Sequence, residues 1–313
     1  MQQKIEQCVE QLNQVILGKD SQIRLALCCL LAGGHLLLED LPGMGKTTLA
    51  QALASVLGLS FKRVQFTSDL MPADILGGSV FDPGTGQFRF HQGPVFCQVL
   101  MADEINRATP RTQSALLEAM EEGQVTLDGE TRRLPTPFFV IATQNPSDLA
   151  GTYPLPESQT DRFLMRLSLG YPDPAAEREL LARVSHYQEP TPLAPVMGVH
   201  DLTLWRSAMA AIHCGDQVLD YVQRLIAFTR DPAVCSLGLS PRGGMALVRA
   251  ARCHALMQGR DHVTPDDVQA VFAAVVEHRV MPAAGANDYS TRSDGHADKA
   301  GSWILACVDV LPR

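Results

Sequence analysis

The sequence predicts an α/β domain with a parallel sheet, followed by a smaller all-α domain. Short apolar runs recur in the first half of the chain, each followed by a loop and a helical pattern, at residues 36–38, 61–66, 95–102 and 138–142. Continuous apolar strands are typical of parallel sheets that helices cover on both faces. After residues 170–174, which include a glycine and two prolines, the patterns are helical and no convincing strand occurs.

The elements at the two ends follow from local signals. A helical pattern precedes the first strand and is interrupted at residues 17–20. In the second half, Thr264 and Pro265 begin a helix with two acids in its first turn, and Gly259 closes the helix before it. Residues 283–301 are polar, and we expect a flexible connection there. The predicted division is a core, a helical domain and a C-terminal segment: residues 1–172, 173–281 and 282–313.

Composition excludes several classes of protein. The net charge of −8 and the pI of about 5.6 give no basic footprint for non-specific nucleic-acid binding. The eight cysteines form no C-x-x-C pair and several lie in apolar runs, which predicts reduced, buried thiols. The apolar stretch at residues 25–38 is too short to span a bilayer, and the first residues lack a secretory pattern. We expect a cytoplasmic protein with no membrane insertion.

The loop after the first strand has the pattern of a phosphate-binding cradle. Gly43 and Gly45 allow successive backbone amides to point at one anion, and the next helix adds its positive end. Lys46 can reach the β- and γ-phosphates of a nucleotide, and the Thr47 hydroxyl can hold Mg²⁺. The alternative is an ordinary glycine loop between strand and helix. The predicted nucleotide-binding residues of this loop are Pro42, Gly43, Met44, Gly45, Lys46, Thr47 and Thr48.

One position of this loop departs from the G-x-x-x-x-G-K-[ST] pattern. Asp40 stands where the first glycine belongs. Because that glycine lies at the strand exit and not over the phosphates, we expect the cradle to remain intact.

Two later strands end in polar residues that could complete the site. Asp103 could order Mg²⁺ through its water shell, and Glu104 could polarise a water for attack on the γ-phosphate. By itself, a solvated Asp-Glu pair at a strand end is a common alternative. Asn145 follows the next strand and could orient the attacking water, although an Asn-Pro turn fits the same residues.

Arginines are candidates for a role at a phosphate. Arg242 follows Ser240-Pro241 and so lies in the first turn of a helix, where the helix dipole opposes a cation. A phosphate explains that placement better than an ordinary surface position does. Arg162 could be an arginine finger that reaches the nucleotide of a neighbouring subunit, or it could pair with Asp161 or another nearby acid. Arg166, one turn later, is a second candidate for the finger.

This ordered set of motifs resembles the AAA+ ATPases, and it is most similar to their MoxR branch. The resemblance covers nearly all of residues 10–281. It implies a P-loop AAA+ core with a helical lid, ATP and Mg²⁺ as ligands, Asn145 as first sensor, Arg242 as second sensor and Arg162 as finger. The blocks that carry it, besides the loop at residues 43–47, are residues 103–108, 112–122, 153–157, 161–163 and 259–268.

Two hairpins are predicted within the core. One turns at residues 82–86 between segments that contain Phe81, Phe88 and Phe90, and the other turns at Asp128-Gly129, the strongest two-residue hairpin signal in the chain. They could be ordinary surface hairpins. In the resembling family such hairpins line the pore or upper face of a ring and couple hydrolysis to a client.

The resemblance further implies an ATPase that acts as a homo-oligomer, a hexameric ring by family likeness. It implies chaperone-like remodelling or maturation of client proteins, often with a partner that contains a von Willebrand factor A domain. If Arg162 acts on a neighbour, the isolated chain should hydrolyse ATP poorly. Two other functions stay open: a nucleic-acid motor on the same core, against which the acidic charge argues, and a nucleotide-gated scaffold with little turnover.

Overall fold

The structure is a computed structural model that describes residues 1–145, 151–184, 193–283 and 300–310. Its strands, in chain order, are β1 (Leu36–Glu39), β2 (Phe61–Gln65), β3 (Gly77–Asp82), β4 (Gln87–Gln92), β5 (Val99–Asp103), β6 (Gln124–Leu127), β7 (Glu130–Arg133), β8 (Phe139–Gln144), β9 (Met165–Leu167), β10 (Cys235–Leu237) and β11 (Met281–Pro282). Its α-helices are α1 (Gln2–Val15), α2 (Asp20–Leu31), α3 (Lys46–Val56), α4 (Pro72–Leu76), α5 (Pro110–Glu122), α6 (Glu157–Thr160), α7 (Pro174–Val184), α8 (Val199–Ala210), α9 (Asp216–Thr229), α10 (Pro241–Met257), α11 (Pro265–Val276) and α12 (Ala300–Cys307).

The central sheet has five parallel strands in the order β2-β5-β8-β1-β9. This confirms the predicted α/β core and its four apolar strands. The fifth strand, β9, was not predicted, because only three residues pair with β1 and the middle one is Arg166. Since all five strands are parallel, their carboxyl ends lie at one edge of the sheet and their amino ends at the other.

Alternation along the strands divides the apolar core into two parts. Leu36 and Leu38 pack on one face of the sheet with α1, α2, α3 and the helices of the second half of the chain. Leu37 packs on the other face with residues of α4 and α5. Helices therefore cover both faces, which explains why β1, β5 and β8 are almost continuously apolar, while β2, at the edge of the sheet, is largely exposed.

Both predicted hairpins are confirmed, and they contact each other. In the first, β3 pairs with β4; in the second, β6 pairs with β7 through a turn in which Asp128 has φ 53° and Gly129 has φ 78°. The Ser79 Oγ donates to Asp128 Oδ2 at 2.5 Å. The Arg132 guanidinium lies 4.0 Å from the centre of the Phe90 ring.

The second half of the chain is helical, and we call α8–α11 the lid. Ser240 caps α10 by accepting a hydrogen bond from the amide of Gly243, and Thr264 caps α11 as predicted. One small difference from the sequence analysis is the antiparallel pair of β10 and β11. These strands have three and two residues, too few to show a strand period.

The C-terminal helix α12 packs beside α9, with Trp303 against Phe228 at 5.9 Å between ring centres. Most of the predicted connection at residues 283–301 lies outside the described residues. Seven of the eight cysteines are buried, and Cys307 is exposed. Within the described ranges, no helix has the length and apolarity needed to cross a bilayer.

Candidate functional site

The predicted phosphate cradle joins the carboxyl end of β1 to the first turn of α3. Gly43 and Gly45 both have left-handed backbones, with φ 83° and 82°. Gly45 is the N-cap of α3, and a side chain is disfavoured at both positions because of their φ. The free amides at the start of α3 therefore face the same point as the loop amides, an arrangement that suits an anion.

Asp40 fastens this loop to the strand beside it. Its buried carboxylate accepts hydrogen bonds from the amides of Leu169 and Gly170 at 2.6 and 2.7 Å. Those residues follow β9, the neighbour of β1 in the sheet. Asp40, which replaces the usual glycine, thus has a structural role at the end of β1. Its carboxylate points to the neighbouring strand and does not occupy the cradle.

Lys46 lies where its ammonium can meet the phosphates. Its Nζ donates to the carbonyl oxygens of Asp40 and Leu41, the latter at 2.9 Å. Burial lowers the pKa of Lys46, while Asp40, Asp103 and Glu104 act in the opposite direction. An anion bound in the cradle would further favour the charged form of Lys46.

Asp103, at the end of β5, is a buried carboxylate with both oxygens engaged. Oδ1 accepts from the hydroxyl of Thr143 at 2.5 Å. Oδ2 accepts from Arg63 of β2, through Nη2 at 2.6 Å and Nε at 3.1 Å. The Arg63 side chain lies in the same cavity as the cradle. Arg63 is thus a second cation beside the predicted magnesium residue.

Glu104 follows in a strained left-handed backbone, with φ 55° and ψ 50°. Its amide donates to Thr143 Oγ1 at 2.8 Å. Its carboxylate Oε2 accepts from Gln65 Nε2 at 2.6 Å and from Arg107 Nη1 at 3.0 Å. The backbone conformation and these partners together fix the direction of the carboxylate.

One cavity of about 370 Å³ brings the predicted nucleotide site together. It lies at the carboxyl edge of the sheet, where crevices of open parallel sheets bind ligands. Asn145 is buried and lines it, while Pro146 of the alternative Asn-Pro turn lies outside the described residues. The lining residues are Pro42, Gly43, Met44, Gly45, Lys46, Thr47, Thr48, Arg63, Asp103, Glu104 and Asn145.

The residues of this cavity fit ATP with Mg²⁺. The cradle offers backbone amides and a lysine for phosphate oxygens. Thr47 and Asp103 offer a hydroxyl and a carboxylate, the oxygen ligands that Mg²⁺ prefers.

Arg162 and Arg242 lie together, in a different cavity. Both contact the carboxylate of Glu121 on α5 at 3.0 Å, one at each oxygen. Asp161, the other predicted partner of Arg162, instead accepts from Arg279 Nε at 2.6 Å. We call this second cavity, of about 290 Å³, the arginine cavity; it is lined by Asp161, Arg162, Leu164, Arg242, Met245, Ala246, Arg249 and Arg279.

The two cavities lie at opposite edges of the sheet. Arg162 comes just before β9, and the amide of Leu164 donates to the carbonyl of His35, the residue before β1. The phosphate cradle begins after the other end of β1. At roughly 3.3 Å per residue, the four residues of β1 separate the edges by roughly 13 Å. The structure therefore does not bring Arg162 and Arg242 to the cradle of their own chain.

Arg166 is held within the sheet. It lies in β9, and its Nη1 donates to Glu39 at the end of β1 at 2.8 Å.

Two family models match separate parts of the chain. A family model described as the ATPase family associated with various cellular activities (AAA) matches residues 35–165, and an AAA lid domain model matches residues 228–296. The uncharacterized protein YeaC of Bacillus subtilis is 45% identical over 273 residues, covering 87% of this chain and 85% of that protein. The chaperone MoxR1 of Mycobacterium tuberculosis is 40% identical over 286 residues, covering 88% and 75%.

The chain belongs to the MoxR family of AAA+ ATPases. The crystal structure of a candidate ATPase from Cytophaga hutchinsonii has the same fold, with a TM-score of 0.87 and 34% sequence identity. The similarity covers 98% of this chain and 95% of that one. This MoxR protein therefore shares its architecture with a solved relative over almost its whole length.

The sequence of this MoxR protein did not indicate three polar residues that lie in or beside the two cavities. Arg63 and Gln65 lie in β2, whose alternation suggests only an exposed strand face, and Glu121 lies in a helix rich in acids. Their partners are between 39 and 121 residues away along the chain. Contacts over such separations leave no local pattern.

Proposed function

We propose that this MoxR protein binds ATP with Mg²⁺ in the cavity at the carboxyl edge of its sheet and hydrolyses it. The observation that carries the proposal is that one cavity contains the phosphate cradle, Asp103, Glu104 and Asn145. Lys46 and the loop amides would hold the phosphates, and Thr47 and Asp103 would hold Mg²⁺, which neutralises charge on the phosphate oxygens when bound.

Glu104 is the group best placed to accept a proton from the attacking water. Among the described residues that line the cavity, only Asp103 and Glu104 carry a carboxylate. Arg63 and Thr143 engage both oxygens of Asp103, whereas Gln65 and Arg107 both donate to Oε2 of Glu104. Asn145 would orient the water through its amide. The strained backbone at Glu104 keeps the carboxylate directed at this point.

We propose that each site is completed by a second copy of the chain. Arg162 and Arg242 lie at the opposite edge of the sheet, on a different surface from the cradle. A head-to-tail contact places this surface of one subunit against the cradle of the next, and repeated contacts of that kind close into a ring. Two guanidinium groups at the γ-phosphate would stabilise the charge of the transition state. A hexamer is the ring implied by the family.

We further propose that hydrolysis drives remodelling of client proteins, in agreement with the name of the relative chaperone MoxR1. The first hairpin offers Phe81 and Phe88, whose rings are 5.4 Å apart and whose side chains are 51% and 72% exposed. An exposed aromatic pair is suited to contact an apolar client segment. A partner with a von Willebrand factor A domain belongs to the same proposal.

The test is Glu104→Gln, which removes the proton acceptor and keeps the shape of the side chain. We expect ATP binding and assembly to persist while the steady-state rate of phosphate release falls by about a hundredfold or more. The matched control is Glu118→Gln, an exposed acid of α5 that lines neither cavity. Turnover by Glu104→Gln at the parent rate would refute the assignment. Absence of turnover in the parent chain, at concentrations where it is assembled, would favour the nucleotide-gated scaffold.

A further inference from the structure

A second feature of the lid has no role in the proposed chemistry. A groove of about 740 Å³ runs between α9 and α10 and reaches the end of α8. We call it the lid groove. Leu219 and Met245 are 41% and 68% exposed at its surface. Its apolar lining consists of Met209, Ala210, Leu219, Val222, Ile226, Pro241, Gly244, Met245 and Val248.

Three arginines border the lid groove: Arg230, Arg249 and Arg252. Within the described part of the chain, none of them has a carboxylate oxygen within 4.0 Å. An apolar surface with unpaired cations at its border is complementary to a helix that carries both leucines and acids. The protein has a net charge of −8, so it can supply acidic partners for these arginines from its own surface.

Helix α7 has this chemistry. Its Leu180 and Leu181 are 41% and 67% exposed. Glu177 lies three residues before Leu180 and four before Leu181, on the same side of the helix. Among the described side chains of α7, it is Ala176 that is buried. The helix thus presents an apolar and acidic surface to solvent.

Helix α7 lies on the cradle side of the molecule. Ala176 packs against Gly18, where a Cβ would come within 2.9 Å of the Ala176 Cβ. Two residues before Gly18, the Cδ1 atom of Ile16 would lie 3.7 Å from a Cβ placed on Gly45 of the cradle.

The lid groove lies on the other side, with the arginines. Met245 and Arg249 line both the lid groove and the arginine cavity. A contact that brings Arg162 and Arg242 to the cradle of the next chain therefore also brings the lid groove toward the surface that carries α7.

We propose that α7 of one chain binds in the lid groove of the next. Leu180 and Leu181 fill the apolar floor, and Glu177 pairs with one of the bordering arginines. This inference rests on the head-to-tail assembly proposed above, and it names the contact that holds neighbouring lids and cores together. Such an interface is heterologous, because each chain contributes α7 on one side and the lid groove on the other.

Cross-linking between two single-cysteine variants tests the contact. In a Cys307→Ser, Glu104→Gln background, one preparation carries Leu181→Cys and the other carries Leu219→Cys. The seven buried thiols do not compete, and burial raises the pKa of Cys8 and Cys29 to about 12. With ATP and a short bismaleimide, we expect covalent dimers in the mixture and not in either variant alone.

The two possible failures are distinguishable by sedimentation of the same samples. Assembled chains without a cross-link in the mixture overturn the α7 contact and leave the assembly intact. Chains that stay monomeric at every concentration overturn the proposed assembly itself.

Substitution to glutamate provides a second measurement. Leu181→Glu and Leu219→Glu are each expected to raise the concentration needed for assembly by about tenfold or more, because each replaces an apolar contact at the floor of the groove by a carboxylate that must lose its hydration. ATP binding by the monomer should be unchanged. The matched control is Leu204→Glu, since Leu204 is a 46% exposed leucine of α8 that does not line the lid groove. Equal effects of all three substitutions would refute the proposal.

Discussion

Individual carboxylates decide the geometry of both cavities. Asp40 fixes the start of the cradle, Asp103 and Glu104 line the cavity of the cradle, and Glu121 holds the two arginines. The contacts of each carboxylate cannot be inferred from the local sequence around it.

The first prediction concerns Asp40→Gly, which would restore the usual glycine of the cradle pattern. We expect a loss of stability of about 1–3 kcal/mol, because the buried amides of Leu169 and Gly170 lose their acceptor. Denaturant unfolding measures it. Asp40→Asn keeps one acceptor oxygen and should lose less. An unchanged unfolding midpoint for the glycine variant would show that the carboxylate has no structural role.

The second prediction concerns Gln65→Ala. Gln65 and Arg107 both donate to the same oxygen of Glu104, so they occupy lone pairs that could otherwise accept a proton from water. Removal of one donor is expected to raise the turnover number on the order of threefold, with ATP affinity unchanged. Lys62→Ala, an exposed neighbour on β2, is the control for steady-state assays. A fall in turnover would mean that Gln65 positions the carboxylate for catalysis.

The third prediction concerns His35 and pH. Its Nδ1 accepts the amide of Val140 at 2.9 Å, and burial lowers the pKa of the ring to about 4 from an ordinary value of 6.5. Between these values the unfolded chain takes up a proton and the folded chain does not, so the fold loses stability as the pH falls. The expected loss is about 1.4 kcal/mol per pH unit at most.

Unfolding curves at pH 7.5 and pH 5 measure this dependence. His35→Asn should weaken it, since an amide can donate and accept without titrating, while His278, a second buried ring whose pKa burial lowers, keeps the rest. His91→Gln, at an exposed histidine of β4, should leave it unchanged. The His35 account fails if both variants keep the pH dependence of the parent.

At the scale of elements, the sequence predicted most of the fold. Four of the five sheet strands, both hairpins and the caps at Ser240 and Thr264 depend on local residue patterns, and the structure confirms them. Strand β9 was missed because three residues cannot show a period, and β10 and β11 for the same reason. Short strands that form only by pairing with neighbouring strands leave no signal in the local sequence.

The residues of the candidate site also differ in whether the local sequence could predict their grouping. The cradle, Asp103, Glu104 and Asn145 follow strands whose ends the sequence locates, so their convergence in one cavity was predictable. The grouping of Arg162 with Arg242 around Glu121 was not, because three separate elements supply these residues. The predicted roles of both arginines remain predictions.

At the scale of the whole molecule, opposite edges of one sheet carry the two halves of the proposed site. Lys46→Ala removes the phosphate contact of a chain, and Arg162→Ala removes its contribution to the neighbour. Each variant alone is expected to lose nearly all turnover. In an equal mixture about a quarter of the sites combine a sound cradle with a sound arginine, so about a quarter of the activity should return.

Two further variants sharpen this mixing experiment. Arg242→Ala should behave like Arg162→Ala, because both residues share Glu121. Arg166→Ala should keep its effect within its own chain, since Arg166 pairs with Glu39 of the adjacent strand. A mixture that assembles and stays inactive would show that the arginines do not complete a neighbouring site.

The contact between the two hairpins has a mechanical consequence. Glu121 is the penultimate residue of α5, and the second hairpin begins at Gln124, directly after Gly123. The Ser79 hydroxyl joins that hairpin to the aromatic one through Asp128. A change in the ion pairs of Glu121 would therefore move both hairpins together as one unit, which rotates about the end of α5. Because the Arg132 guanidinium also contacts Phe90, it takes Ser79→Ala together with Arg132→Ala to separate the two hairpins, and ATP turnover should then continue without work on a client.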